Sequence, residues 1–250
     1  MTRPDLPELH FVTCASQLDV LRQRLLASPC LQPGTDGARP LTVIFNAKSA
    51  AQGFNAAMAA SAIKANGNNW LVWVHQDVFL PRDWDLRFSK ALVEAAQCFP
   101  KLAVAGVYGI AGAGSNARRA GCVLDRGVLL HEPAALPCEV DSLDELLFAV
   151  RVDSGLMLDP AMDFDFYATD LVLQAQAQGW QCAVVDAYCE HWSATPKFGV
   201  MPAGLLRRVL RNANAFEHKW QGRLPVTTPC FDIAAKGDVA LAVAKVYQAP

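Results

Sequence analysis

One run sets the terms for the whole chain: Trp70-Leu-Val-Trp-Val74, five apolar residues without a polar break, ending abruptly in His75-Gln-Asp77. A continuous apolar run of strand length belongs to a strand covered on both faces, and such strands lie in the middle of parallel sheets flanked by helices. The remaining sequence keeps to that scheme. Segments 9–13, 41–45, 102–108, 146–152 and 181–186 have strand character, and segments of helical period fall at 16–27, 51–65, 83–98 and 169–178. The 51–65 helix is expected to stop at Asn66-Gly67. This alternation is that of an α/β fold with a mostly parallel sheet. Residues 123–130 flank Asp125-Arg-Gly127 and predict a hairpin, a small antiparallel addition. A chain of 250 residues is read as one domain, with 202–250 a C-terminal helical extension and tail.

Composition narrows the partner. With 22 basic against 24 acidic side chains the net charge is −2, which gives no basic field to gather the phosphates of a duplex, so the expected ligand is small and not nucleic acid. The eight cysteines (14, 30, 98, 122, 138, 182, 189 and 230) are scattered without a CxxC pair, as in buried, reduced thiols. The first residues lack the pattern of a signal peptide, and no apolar stretch approaches the roughly 20 residues of a bilayer span, so a cytoplasmic location is expected. A basic amphipathic helix is predicted over 202–220, and its Arg207, Arg208 and Arg211 form either a solvated face or a peripheral contact with acidic lipids.

In open α/β sheets ligands bind beyond the carboxyl ends of the strands, so polar residues that interrupt an apolar strand there are the first candidates. The second strand runs into Asn46-Ala-Lys48, the third into His75-Gln76-Asp77, and the last is followed by Glu190-His191. Asp77 is placed either to bind a hard divalent ion such as Mg2+ or Mn2+, or to cap a turn. His191 is either a metal or substrate ligand or a surface residue. Asp170, in Tyr167-Ala-Thr-Asp170, either complements a helix dipole or serves as a general base. The glycines of 109–114 lack Gly-Lys-Ser/Thr and a following helix, so they predict a flexible loop near the cleft rather than a phosphate loop. Cys189 is read as packing.

The order of these pieces carries a resemblance. The stretches LTVIFNAKSAAQGFNAAMAASAIKANGNNWLVWVHQDVFLPRDW and DFDFYATDLVLQAQAQGWQCAVVDAYCEHWS resemble family 2-like glycosyltransferases of the GT-A fold, in the bacterial subgroup with His-Gln-Asp-Val in place of Asp-x-Asp. The resemblance covers about residues 9 to 220 and implies a Rossmann-like central sheet. It implies that Asn46, Asn55, His75, Gln76 and Asp77 meet the nucleotide-diphosphate sugar donor, that Asp77 and His191 hold the metal, that Asp170 is the base of an inverting transfer, and that Asp144 is an acceptor-side acid. His75 stands where the first carboxylate of Asp-x-Asp is usual, and Thr169 where a Glu is usual.

The expected activity is therefore a metal-dependent transfer of a sugar from a nucleotide diphosphate to a glycan, lipid-linked or protein acceptor. Two other readings fit the residues: a non-catalytic sugar-nucleotide or glycan-binding module of the same fold, and a nucleotidyltransferase. The second should carry a glycine-rich basic loop near the first strand, and none stands at 13–17. Specificity is assigned to the loops at 109–119 and 130–141.

Overall fold

The computed structural model describes residues 6–34, 38–60, 68–193 and 199–248. Along the chain come β1 (Glu8–Ala15), α1 (Leu18–Gln23), β2 (Leu41–Phe45), α2 (Ala50–Ala59), β3 (Asn69–Val74), β4 (Val78–Phe79), α3 (Trp84–Cys98), β5 (Leu102–Gly106), β6 (Tyr108–Ala111), β7 (Arg118–Asp125) and β8 (Val128–His131). There follow β9 (Cys138–Glu139), β10 (Ser142–Leu143), β11 (Leu147–Arg151), α4 (Tyr167–Ala177), β12 (Gln181–Val184), β13 (Cys189–His191), α5 (Ala203–Lys219) and α6 (Asp238–Val246).

The main sheet has seven strands in the order β2-β1-β3-β11-β5-β12-β9. β2, β1, β3, β5 and β12 run one way, while β11 and β9 run against them. All six residues of β3 are buried, as its unbroken apolar run requires. Its side chains alternate between two cores. Leu71 and Trp73 join Phe148 and Val150 beneath α2, α4 and α5. Trp70, Val72 and Val74 join Leu147 and Ala149 beneath α1 and α3. Truncating one of the large buried rings, such as Trp73, costs about 3–5 kcal/mol.

A second sheet, β10-β6-β7-β13-β4 with β8 on the far side of β7, leans against the carboxyl end of the first. The expected hairpin is present: Asp125 pairs with Val128 around Arg126 and Gly127, both at positive φ, 51° and 79°, the paired left-handed geometry of a tight hairpin turn.

Three local expectations change. The apolar run at 102–111 is two strands, and the glycine-rich segment expected as a loop is strand β6 as far as Ala111. Close packing explains the glycines, since a Cβ on Gly109 would lie 2.4 Å from the Ser142 carbonyl oxygen. The helix expected over 16–27 ends at Gln23, gives way to a 3-10 turn over 25–27, and stops at Ser28, which the following Pro29 holds in an extended conformation. The 51–65 helix is seen to Ala59; the rest of that segment and its Asn66-Gly67 stop lie outside the described residues. All eight cysteines are free thiols: Cys30, Cys182 and Cys189 are buried, but Cys98 and Cys230 are exposed, so packing accounts for only some of them. Among the described residues no helix is long and apolar enough to cross a membrane.

Candidate metal centre

Where β3 ends, the chain turns sharply into β4, with the Val78 N–H donating to the His75 carbonyl. β4 pairs antiparallel with β13, setting Val78 opposite His191, and β13 runs parallel to β7, setting His191 opposite Asp125. Two further backbone bonds clamp this corner, from the His75 N–H to the Leu146 carbonyl (2.9 Å) and from the Trp192 N–H to the Asp77 carbonyl (3.0 Å). The result places one ring nitrogen of His75, one carboxylate oxygen of Asp77 and one ring nitrogen of His191 within 4.8 Å of one another.

Hydrogen bonds behind the histidines decide which nitrogen each offers. His191 Nδ1 lies 3.0 Å from Asp125 Oδ1, and because a carboxylate accepts, that nitrogen carries a proton, and Nε2 is the atom that offers a lone pair once the ring is neutral. Nε2 is buried, 3.5 Å from Asp77 Oδ1, and finds no hydrogen-bond partner among the described residues. His75 Nε2 lies 2.7 Å from the Tyr167 hydroxyl, which also accepts from Trp73 Nε1 (3.1 Å) and stands 3.3 Å from the Glu145 carbonyl oxygen. Every bond in this chain is satisfied when His75 Nε2–H donates to Tyr167 and Tyr167 O–H donates to Glu145, leaving the lone pair of Nδ1 facing Asp77, 4.0 Å away.

The electrostatics follow from this placement. Burial opposes a charge on His191, but Asp125 and Asp77 outweigh it and raise its pKa to about 9. Burial pushes Asp77 up, yet the nearby His191 and His75 bring it below the usual carboxylate range. Burial lowers His75. Asp125 is held well down, against its own burial, by His191 and by Arg126, whose guanidinium sits 2.7 Å away.

Two imidazoles with fixed outer partners and one carboxylate form an open three-ligand donor set, and the unpartnered buried Nε2 of His191 is the sort of atom that a divalent cation satisfies. The residues present therefore fit such an ion.

The other expected site residues are scattered more widely. Asn46 ends β2 at φ 54°, exposed, with its N–H on the Ala15 carbonyl. Gln76 accepts from the Ser16 and Gln17 N–H groups, both at 3.0 Å, tying the end of β3 to the start of α1. The Asn55 amide is committed at both ends to the main chain of Leu158, at 2.9 Å each, and so secures the loop before α4. Asp144 accepts from the Leu146 N–H and lies close enough to favour the charge on both histidines.

Asp170, the expected base, stands apart from this cluster: it is wholly buried and accepts from Trp220 Nε1 (2.7 Å), Gln174 Nε2 (2.7 Å) and the Lys219 ammonium (2.7 Å). Its carboxylate anchors the end of α5 to α4. Of the three arginines expected on a solvated face, Arg208 pairs with the largely buried Asp165 at 2.8 Å, while Arg211 pairs with Asp163 at the surface, its own side chain 63% exposed.

Sequence reasoning gave no role to Asp125 or Tyr167, whose side chains bond the two histidine rings. Asp125 was visible only as the first residue of a hairpin turn, and the signal that it faces the cleft lies in strand pairing between β7 and β13. The loops read as specificity loops do meet: Ala117, Arg118 and Arg119 face Glu132, Pro133 and Ala134 across an open groove of about 680 Å³.

No family profile matches the sequence, and no curated protein does. Among solved structures, the mannosyltransferase PcManGT from Pyrobaculum calidifontis, determined in complex with GDP-Man and Mn2+, aligns over 96% of this chain and 69% of its own, with a TM-score of 0.50 at 12% identity. A197 from STIV aligns over 72% of this chain and 82% of its own, with a TM-score of 0.43 at 10% identity. The likeness to PcManGT gives this chain, with its large and mostly parallel central sheet, a glycosyltransferase-like fold.

Proposed function

We propose that the chain is a metal-dependent glycosyltransferase of the family 2-like, His-Gln-Asp-Val kind, moving a sugar from a nucleotide diphosphate to an acceptor hydroxyl. The observation that carries this reading is the three-ligand set of His75, Asp77 and His191 at the carboxyl end of β3, in a fold shared with a nucleotide-sugar mannosyltransferase. When bound, a divalent ion supplies the positive charge that offsets a departing diphosphate. In a chain of net charge −2, the arginines nearest the centre, Arg126 and Arg208, are already paired with Asp125 and Asp165.

The chain's own residues then do the following. His75 and His191 present fixed lone pairs, Asp77 lies between them, and Asp125 and Tyr167 prevent the rings from turning. The groove between Arg118, Arg119 and Glu132 is the acceptor side. Two imidazoles make the set softer than the all-oxygen shells Mg2+ prefers, so Mn2+ is the favoured ion of the two.

Thermal melting tests the reading directly. Mn2+ together with UDP-, GDP- or dTDP-sugars should raise the melting temperature of the wild-type protein, Mg2+ should do so less at equal concentration, and Asp77→Ala should remove the response without unfolding the chain. An Asp77→Ala protein that responds like the wild type would exclude this metal site.

A further inference from the structure

With Asp170 buried apart from the metal-facing cluster, the transfer needs a nearer group to take the acceptor proton, and the structure supplies one that no motif pointed to. We propose that Glu145 is the general base; this rests on the transferase reading above. The acceptor O–H gives its proton to the Glu145 carboxylate, the freed oxygen bonds to the anomeric carbon, and the bond from that carbon to the diphosphate breaks, its electron pair leaving with the nucleoside diphosphate.

Position is the first argument. Glu145 lies immediately before β11, the strand that runs against its neighbours, so this loop arrives at the carboxyl end of β3 where the ligands gather. Its carbonyl accepts from the Tyr167 hydroxyl, itself bonded to His75, and the carbonyl of the next residue accepts from the His75 N–H. The Glu145 peptide is thus two hydrogen bonds from one ring of the centre and one residue from its backbone. The residue as a whole is half-buried.

Availability is the second. Four other acids of this region are committed to cations or buried donors: Asp77 lies between the histidines, Asp125 on Arg126 and His191, Asp165 on Arg208 and Asn212, Asp170 on Lys219 and Trp220, while Asp144 accepts from the Leu146 N–H. Glu145 has no cation within ion-pair distance among the described residues, and only the Phe166 N–H at the head of α4 faces its carboxylate. The groups around it are Asp144 on its own loop, Asp165 and Tyr167 at α4, Arg208 on α5 and the exposed Cys230 at the tip of the turn between 226–227 and 232–233. Burial, with Asp165 and Asp144, raises the Glu145 carboxyl well above the ordinary carboxylate range, the direction that makes a carboxylate a stronger base.

Release of nucleoside diphosphate, with water as acceptor, reads the step without knowledge of the natural acceptor. Wild type, Glu145→Gln and Glu145→Ala are assayed with Mn2+ and each of UDP-glucose, UDP-N-acetylglucosamine, GDP-mannose and dTDP-glucose, with and without azide, a nucleophile that brings no proton. The expected result is a release rate at least about 100-fold lower in both variants, with the Mn2+ melting shift unchanged and release restored by azide as glycosyl azide forms. Wild-type rates in Glu145→Gln, or a loss that azide restores in neither variant, overturn the assignment. A wild-type protein that releases no diphosphate from any of the four donors overturns the transferase reading itself, and the base with it.

Discussion

The hydroxyl of Tyr167 is a residue-scale example of how the centre is held. It accepts from Trp73 and His75 and donates to Glu145, so a single oxygen fixes the tautomer of one metal-facing ring. Tyr167→Phe keeps the ring's edge-on contact with Trp73 and its tilted contact with Phe148 but removes that anchor, and should weaken Mn2+ binding about 10-fold in isothermal titration calorimetry. Asp125→Ala, which frees His191 and leaves Arg126 without its carboxylate, should cost between about 10- and 100-fold. Equal affinity in both variants would show that the rings are oriented by something else. Sequence made His75, Asp77 and His191 legible because each interrupts or follows an apolar strand. It could not do the same for Asp170, whose direction is set by Lys219 and Trp220, about fifty positions downstream, with no local pattern to announce them.

Elements were legible where their own periodicity sufficed. β3, α3, α4 and α5 lie close to where alternation or helical spacing put them, since those signals are local. The split of 102–111 between two sheets, and the two-residue strands β9 and β10, depend on partners distant in sequence and left no such mark. α5 is the clearest element-scale case of a face with two purposes: Val209, Ala213 and Phe216 face the core, while Arg208, Arg211 and Lys219 reach Asp165, Asp163 and Asp159. Lys219→Met should destabilise the protein by roughly 1–3 kcal/mol, less than the loss of a fully buried pair because the lysine is 29% exposed. The cost should depend on pH. Burial already raises Asp170 above its ordinary value, and losing the Lys219 charge raises it further. A carboxyl whose folded pKa lies above its unfolded one destabilises the fold once it ionises, and the penalty is relieved as pH falls through the folded value. The gap in melting temperature between variant and wild type should therefore be widest at neutral pH and narrow in acid; a constant gap would remove Asp170 from the explanation.

At the scale of the molecule, the centre joins the ends of β3, β7 and β13, which belong to both sheets. An ion bound there ties the sheets together and favours the folded state by mass action. At a hundredfold excess over its dissociation constant, Mn2+ should add about 2.7 kcal/mol, which for a chain of this size is roughly 5–11 °C in melting temperature. Chelation should reverse the whole shift, and a shift that survives chelator would place the ion elsewhere.

The distance in sequence between Asp77 and His191 also orders events during synthesis. At ordinary elongation rates on the order of ten seconds separate the appearance of these two ligands, and His191 reaches its place only after β13 has paired with β4 and β7. An ion at this centre would be captured late, once the strands have brought its ligands together, unlike in small zinc modules, where the ion drives folding; under the metal reading, removing it should leave the chain folded and able to bind again.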